Sequence, residues 1–285
     1  MSYVKAANLQ EALNLLKTST PRPRVIAGGT DLFLQDWPGC LIDISFLDDL
    51  KIIEEKDEVL EIGSGVTHAM AAGSDLVKYK ATALAEACKT VGSPQIRNMG
   101  TLGGNVINAA PAADAAVALV ALGAEGVLID CGNSIRRMPV DKLYAGYNHS
   151  VVDCGSEILL KFVFEPCKPD EGSAFVRFAA RRALALPMVN AAARIRIKDG
   201  LISAVHLVVA PVKPAPTRLL KTEAKLCGKP VGEETWFEAE QLAAEEAEVR
   251  GSLLRCSADY RKNLVGVLAG RVLRTAALRA LERKV

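Results

Sequence analysis

The chain has 285 residues, 50% of them hydrophobic, with 35 Lys+Arg against 33 Asp+Glu and a formal net charge of +2. That length suffices for roughly two domains with buried cores. So small a net charge gives no reason to expect a nucleic acid or an anionic membrane surface as partner.

The N-terminal stretch MSYVKAANLQEALNLLKTST repeats apolar residues at helical spacing and lacks the long apolar core and cleavage site of a signal peptide. No run approaches the ~18 apolar residues of a membrane span. A soluble, cytoplasmic protein is expected. A helix is predicted from Asn8, whose side chain can cap free amides while Glu11 reaches back; Leu9, Ala12, Leu13 and Leu16 form its apolar stripe. RVIAGGT (24–30) reads as a strand running into a glycine turn and CLIDIS as a second strand. EVLEIGSG, Glu58 to Gly65, is a third strand, followed by Thr67 as the cap of a helix through Ala72. ATALAEACKTVG is helical and ends at Gly92.

After NMGTLGGNVINAAPAAD (98–114) come a small-residue helix, ADAAVALVALGA, and the strands EGVLID and SIRRMPV around a Cys-Gly-Asn turn. EILLKFVFEP closes this half. PCKPDEG, Pro166 to Gly172, mixes prolines, charges and glycine and marks the predicted domain boundary. Beyond it, NAAARIRIKDGLISAVHLVVAPV reads as a hairpin about Asp199-Gly200, and PVKPAPTR as a proline-stiffened connection. EETWFEAEQLAAEEAEV and SADYRKNLVGVLAGRVLRTAALRALERK have helical periodicity; the arginines of the second read as a solvated face beside an apolar stripe.

Seven scattered cysteines without a C-x-x-C argue for reduced, mostly buried thiols rather than disulfides, iron–sulfur ligands or a zinc site. His68, His149 and His206 are well separated, so no metal is expected on this chain. IGSGVTHAM follows a strand and precedes a helix, as a dinucleotide fingerprint should. His68, however, stands at the third-glycine position, and no acidic residue follows at the required distance. That segment is set aside, and no phosphate-binding P-loop is present.

The two Gly-Gly segments fit a ligand better. Gly28-Gly29 precedes Thr30, and Gly103-Gly104 follows Thr101. A diphosphate needs several N–H donors converging on one point, and glycine lets the main chain approach closely. The threonine hydroxyls add donors, and Asp114 could accept hydrogen bonds from a ribose diol. The same spacing also fits two ordinary turns with Asp114 as a helix cap. No nucleophile–base pair stands out, so no catalytic side chain is expected and any redox chemistry belongs to a cofactor.

VIAGGTDLFLQ, GSPQIRNMGTLGGNVINAAPAAD and SADYRKNLVGVLAGRVL together resemble, in order and over nearly the whole chain, the FAD-binding medium subunit of the xanthine dehydrogenase and carbon monoxide dehydrogenase family of molybdenum hydroxylases. The resemblance implies an α+β fold: an FAD-binding domain of the vanillyl-alcohol oxidase-like (PCMH) type over 1–168, in subdomains of about 1–52 and 53–168. A smaller α+β domain, an antiparallel sheet plus helices, would span 169–285. Val25, Ile26, Ala27, Gly28, Gly29, Thr30, Asp31 and Leu32 match the family's first pyrophosphate loop; Thr101, Leu102, Gly103, Gly104 and Asn105 match its second. Asp114 matches the carboxylate on the adenosine ribose, and Leu159 an aliphatic side chain near the flavin. Arg177 stands where many members have lysine, and Val91 where some have an aromatic residue.

By this likeness FAD is the cofactor, while iron–sulfur clusters and molybdopterin reside only on partner subunits; no cysteine-bearing insertion for an extra four-iron cluster is visible. The implied function is electron transfer from an iron–sulfur subunit through FAD to NAD+ or another acceptor, with substrate hydroxylated on a molybdopterin-binding large subunit. The alternative is a self-contained FAD oxidoreductase acting directly on a small substrate.

Overall fold

A computed structural model describes residues 2–34, 37–181, 183–249, 251 and 257–283. Strand β1 (Ser2–Lys5) leads into helix α1 (Leu9–Thr18). Asn8 Oδ1 accepts the Glu11 amide at 2.9 Å, and Glu11 Oε2 accepts the Ala7 amide at 2.6 Å, so the predicted cap forms one residue wider than a standard capping box. Strands β2 (Arg24–Ile26) and β3 (Cys40–Asp43) complete a parallel sheet in the order β1-β3-β2. The stripe of Ala12, Leu13 and Leu16 packs with Cys40 and Ile42 into a small core of its own.

The second unit starts with β4 (Ile53–Lys56) and β5 (Val59–Gly63). A helical run follows: α2 (His68–Gly73), α3 (Asp75–Lys80), α4 (Thr82–Thr90), α5 (Pro94–Met99), α6 (Leu102–Ile107) and α7 (Asp114–Ala121). The chain returns to strands in β6 (Glu125–Asp130), β7 (Ile135–Pro139), β8 (Tyr144–Gly146), β9 (His149–Ser150) and β10 (Glu157–Phe164). Strands β4-β5-β10-β6-β7 form an antiparallel sheet in that order. Every residue of α7 is buried, as an all-round apolar helix must be to hide its surface.

The third unit is the sheet β11 (Glu171–Ala179), β12 (Pro187–Lys198), β13 (Leu201–Ala210) and β14 (Thr217–Arg218), followed by α8 (Leu220–Leu226), α9 (Glu233–Glu246) and α10 (Ala258–Arg283). Alternate side chains of β12 leave opposite faces. Ala191, Ala193, Ile195 and Ile197 join a core with α9 and α10, whereas Ala192 joins the core around α7. The β12–β13 turn has positive φ at both Asp199 (+53°) and Gly200 (+77°), as the predicted hairpin demands.

The structure corrects the expectation for the arginines of α10. Arg271 is exposed, but Arg279 makes a two-pronged pair with Glu86 on α4 and donates to Ser173 O at 2.8 Å. Arg283 donates to Glu171 O, Thr82 Oγ1 and Tyr79 O. This face pins the last helix to the second unit. Strands β1, β4, β8, β9, β11 and β14 and helices α3, α5, α6 and α8 were not predicted from sequence. Most are too short for a periodicity to show, and β4 is an edge strand with mainly exposed residues. Cys40, Cys88, Cys131, Cys154, Cys167 and Cys227 are free thiols; Cys256 lies outside the described residues.

Candidate functional site

Strand β2 runs straight into the first glycine segment, which turns at Gly29 with φ +68°. The Phe33 amide donates to Gly29 O at 3.1 Å and closes the turn. Gly28 meets the second segment backbone to backbone: a Cβ there would stand 2.0 Å from Met99 O. Only glycine permits that approach. The second glycine pair is not a free turn. Thr101 caps α6 by accepting the Gly104 amide at 3.1 Å, and Gly103 sits in the first helical turn, its amide donating to Ser64 O at 2.8 Å. Asp31 ties the segments together, accepting from Asn108 Nδ2 and from Thr30 Oγ1, each at 3.2 Å.

Between them lies a cavity of about 140 Å³ lined by all of Val25 to Leu32, by Val91, Thr101, Gly104 and Asn105, and by residues sequence reasoning missed: Arg24, His68, Ile96 and Asn108 among them. It opens into a second cavity of about 800 Å³ that shares Arg24, Asp31, Ile107, Asn108 and Cys154 and extends past Trp37 and His149 to Leu186. Small-molecule sites run to roughly 300–1,000 Å³. The pair, rather than the inner cavity alone, has room for a dinucleotide.

The lining suits an anion held by main chain. Among the described residues the amides of Gly28, Gly29, Thr30 and Asp31 have no protein acceptor. Among the described residues Arg24 is the only cationic side chain lining the inner cavity, and it lies 4.8 Å over the Trp37 ring. His68 adds no charge: burial, and then the Arg97 guanidinium, lower its pKa to about 4. Buried polar atoms of three lining residues, His68 Nδ1, Asn105 Oδ1 and Trp37 Nε1, have no partner among the described residues. Free amides and a glycine cradle on one cleft fit a bound diphosphate compound.

Five residues carried over from the resemblance do not line either cavity. Leu102 and Gly103 are buried beneath the second segment, and Leu159 is 2% exposed in the core. Asp114 is 5% exposed, and its carboxylate accepts from Arg177 Nη1 at 2.7 Å, Thr90 Oγ1 at 3.1 Å and Asn190 Nδ2 at 2.6 Å. Arg177 also donates to Thr90 O at 2.8 Å and to Ala185 O. This network joins α4, α7, β11 and β12 next to Val91. The rejected IGSGVTHAM segment does form a strand, a loop and a helix, and its His68 lines the cavity; the missing signal was the Thr67–Thr101 bridge, which no local pattern encodes.

An α+β fold with a cleft of this build is that of a protein made to hold a diphosphate compound such as a dinucleotide. Residues 1–164 match the family model described as the FAD binding domain in molybdopterin dehydrogenase, and 174–276 that of the CO dehydrogenase flavoprotein C-terminal domain. The xanthine dehydrogenase FAD-binding subunit of Escherichia coli O157:H7 is 30% identical over 98% of this chain and 97% of its own length. The glyceraldehyde dehydrogenase medium chain of Sulfolobus acidocaldarius is 27% identical over 97% and 98%. A structure of carbon monoxide dehydrogenase from Hydrogenophaga pseudoflava superposes with a TM-score of 0.90 at 26% identity, covering 98% of each chain. The chain belongs to the family of FAD-binding subunits of molybdenum hydroxylases of the xanthine and carbon monoxide dehydrogenase type. It is an oxidoreductase subunit and its cofactor is FAD. No helix among the described residues is long and apolar enough to cross a membrane.

Proposed function

We propose that this chain is the electron-transfer subunit of a three-part assembly, with an iron–sulfur subunit on one side and a molybdopterin-bearing large subunit that hydroxylates the substrate. When bound, FAD supplies the exchange between one-electron donors and a two-electron acceptor such as NAD+. The chain's own residues bind and orient. Amides of Gly28 to Asp31 hold the diphosphate, Thr101 and Asn105 flank it, and Val91 and Ile96 offer an apolar wall. Asp114 on α7 and Arg177 on β11 act at one remove, together fixing Thr90 beside Val91, so that residues 1–168 carry the cofactor and 169–285 brace it. Free thiols suit a reducing compartment, the cytoplasm.

One observation carries this reading: two segments remote in the chain line one cleft and turn toward it backbone amides that have no protein acceptor among the described residues. Asp31, which lines the inner cavity, accepts from Asn108 and Thr30 and so ties the second segment to the first. The relatives are themselves named as subunits or medium chains, which supports assembly. Purification of the native protein tests it: a yellow chain leaving with iron- and molybdenum-bearing partners is expected. An isolated FAD-loaded chain that turns over a small substrate unaided would sink the proposal in favour of a self-contained oxidoreductase. Anaerobic mixing with NADH decides the acceptor, since rapid bleaching of FAD is expected if NAD+ is the partner.

A further inference from the structure

Helices α9 and α10 lie side by side and run in opposite directions. A Cβ on Gly266 would stand 2.6 Å from Glu240 O, and two turns further along α10 Arg274 Nη2 pairs with Glu233 Oε2, earlier on α9, at 2.5 Å. Their inner sides pack on the third sheet, Trp236 and Ala239 from α9 and Leu268 and Val272 from α10 sharing one core with β12. The outer side of each helix is a stripe at helical spacing. On α9, Glu234, Phe237, Gln241 and Glu245 are all exposed, Phe237 at 63%. On α10, Val267, Arg271 and Leu278 are exposed, the two aliphatic side chains at 43% and 54%, with Arg274 half-buried among them. Among the described residues, none from either helix lines the inner or the outer cavity.

The charges on this face divide by helix. Glu233, Glu238 and Glu248 are paired with Arg274, Lys229 and Lys213, but Glu234 and Glu245 of α9 and Arg271 of α10 have no ion partner among the described residues. An acidic stripe bearing one aromatic ring therefore lies beside a basic stripe bearing aliphatic side chains. A surface that carries both halves of such a match can pair with its own copy about a two-fold axis, α9 of each copy meeting α10 of the other. Phe237 then faces Val267 and Leu278, and Glu234 and Glu245 face Arg271. An unrelated partner would need only one half. The face is also large enough. The 26 residues of α10 and the 14 of α9 make helices about 39 and 21 Å long, which at a width of about 10 Å each present about 600 Å² in projection. Accessible area exceeds projected area, so the face approaches the roughly 800 Å² per partner of a stable dimer. We infer that the chain forms a two-fold dimer through the outer face of α9 and α10, with the cleft of each copy left open to other partners.

Sedimentation velocity on the full chain tests this over a dilution series centred near about 10 µM, because interfaces of this size bind with micromolar or tighter affinity. Wild type should sediment as a dimer whose dissociation constant rises with salt, as the charge pairs are screened. Phe237→Asp should sediment as a monomer with an unchanged far-ultraviolet circular dichroism spectrum, since the side chain it replaces is exposed. Arg271→Glu sets a further carboxylate against the acidic stripe and should weaken the dimer about tenfold or more. Combining it with Glu234→Arg and Glu245→Arg exchanges the two sides and should restore association. A wild-type chain that stays monomeric throughout overturns the proposal without any variant. So does a dimer that survives both Phe237→Asp and Arg271→Glu, which would sit on another face. A loss through Arg271→Glu that the exchange fails to restore gives the face to a different partner and overturns it as well.

Discussion

Gly28 has the tightest constraint in the site, with Met99 O where a methyl group would go. Gly28→Ala must push the first segment off the second, so it should lose FAD and destabilise the chain by about 1–3 kcal/mol; flavin content and chemical unfolding read the two effects separately. Asp114 makes a different prediction. Its partner Arg177 has a side chain only 12% exposed, so Asp114→Asn strands a buried guanidinium. A loss on the order of 3–5 kcal/mol is expected in the apo chain, before any cofactor is added. Denaturant unfolding without FAD checks it, and an apo chain of unchanged stability would return Asp114 to a direct ligand role. His68 gives a pH signature. It titrates near 6.5 when unfolded and at about 4 when folded, so between those values the unfolded chain binds a proton that the folded chain refuses. Stability conferred by the neutral ring is complete above pH 6.5 and falls by about 3 kcal/mol as pH drops to 4. Urea unfolding across that window should show a steeper decline for wild type than for His68→Leu.

Among the elements, those with a complete local code were legible. The α1 cap needs only Asn8 and Glu11 at fixed spacing, and the β12–β13 hairpin needs only Asp-Gly between alternating strands. Nothing lies within 4 Å of a Cβ at Gly200, so strain there is purely conformational. Gly200→Val should cost about 1–3 kcal/mol of unfolding free energy and leave FAD affinity unchanged; a calorimetric scan with and without FAD separates these. The second glycine pair was harder to read. Thr101, three residues before Gly104, is a helix-cap spacing as well as a loop spacing, and helix propensity alone argues against glycine in a first turn. Packing of Gly103 on Ser64 overrides that propensity. The unpredicted strands β1, β4 and β14 are two to four residues long and owe their existence to neighbours.

Across the described residues, three larger sheets, a two-stranded ribbon and three cores are held in one arrangement by a few polar crossings. Glu86 on α4 receives Arg279 from α10 and the Phe175 amide from β11, and these side chains are 29% and 26% exposed. A double-mutant cycle on Glu86→Gln and Arg279→Leu should give a coupling of about 1 kcal/mol, discounted for solvent screening; additive effects would reduce the pair to a surface contact. The sequence by itself determined the α+β character of the chain and its main helices and strands, because caps, turns and apolar alternation act over a few residues. Only the tertiary structure decided that His68, Asn108 and Arg24 line one cavity with the two glycine segments, that Asp114 faces Arg177, and that Arg279 and Arg283 of α10 reach the second unit. Each of those depends on which residues far apart in the chain are brought within a hydrogen bond of one another, and that is set by how the sheets and helices pack, which no local spacing records.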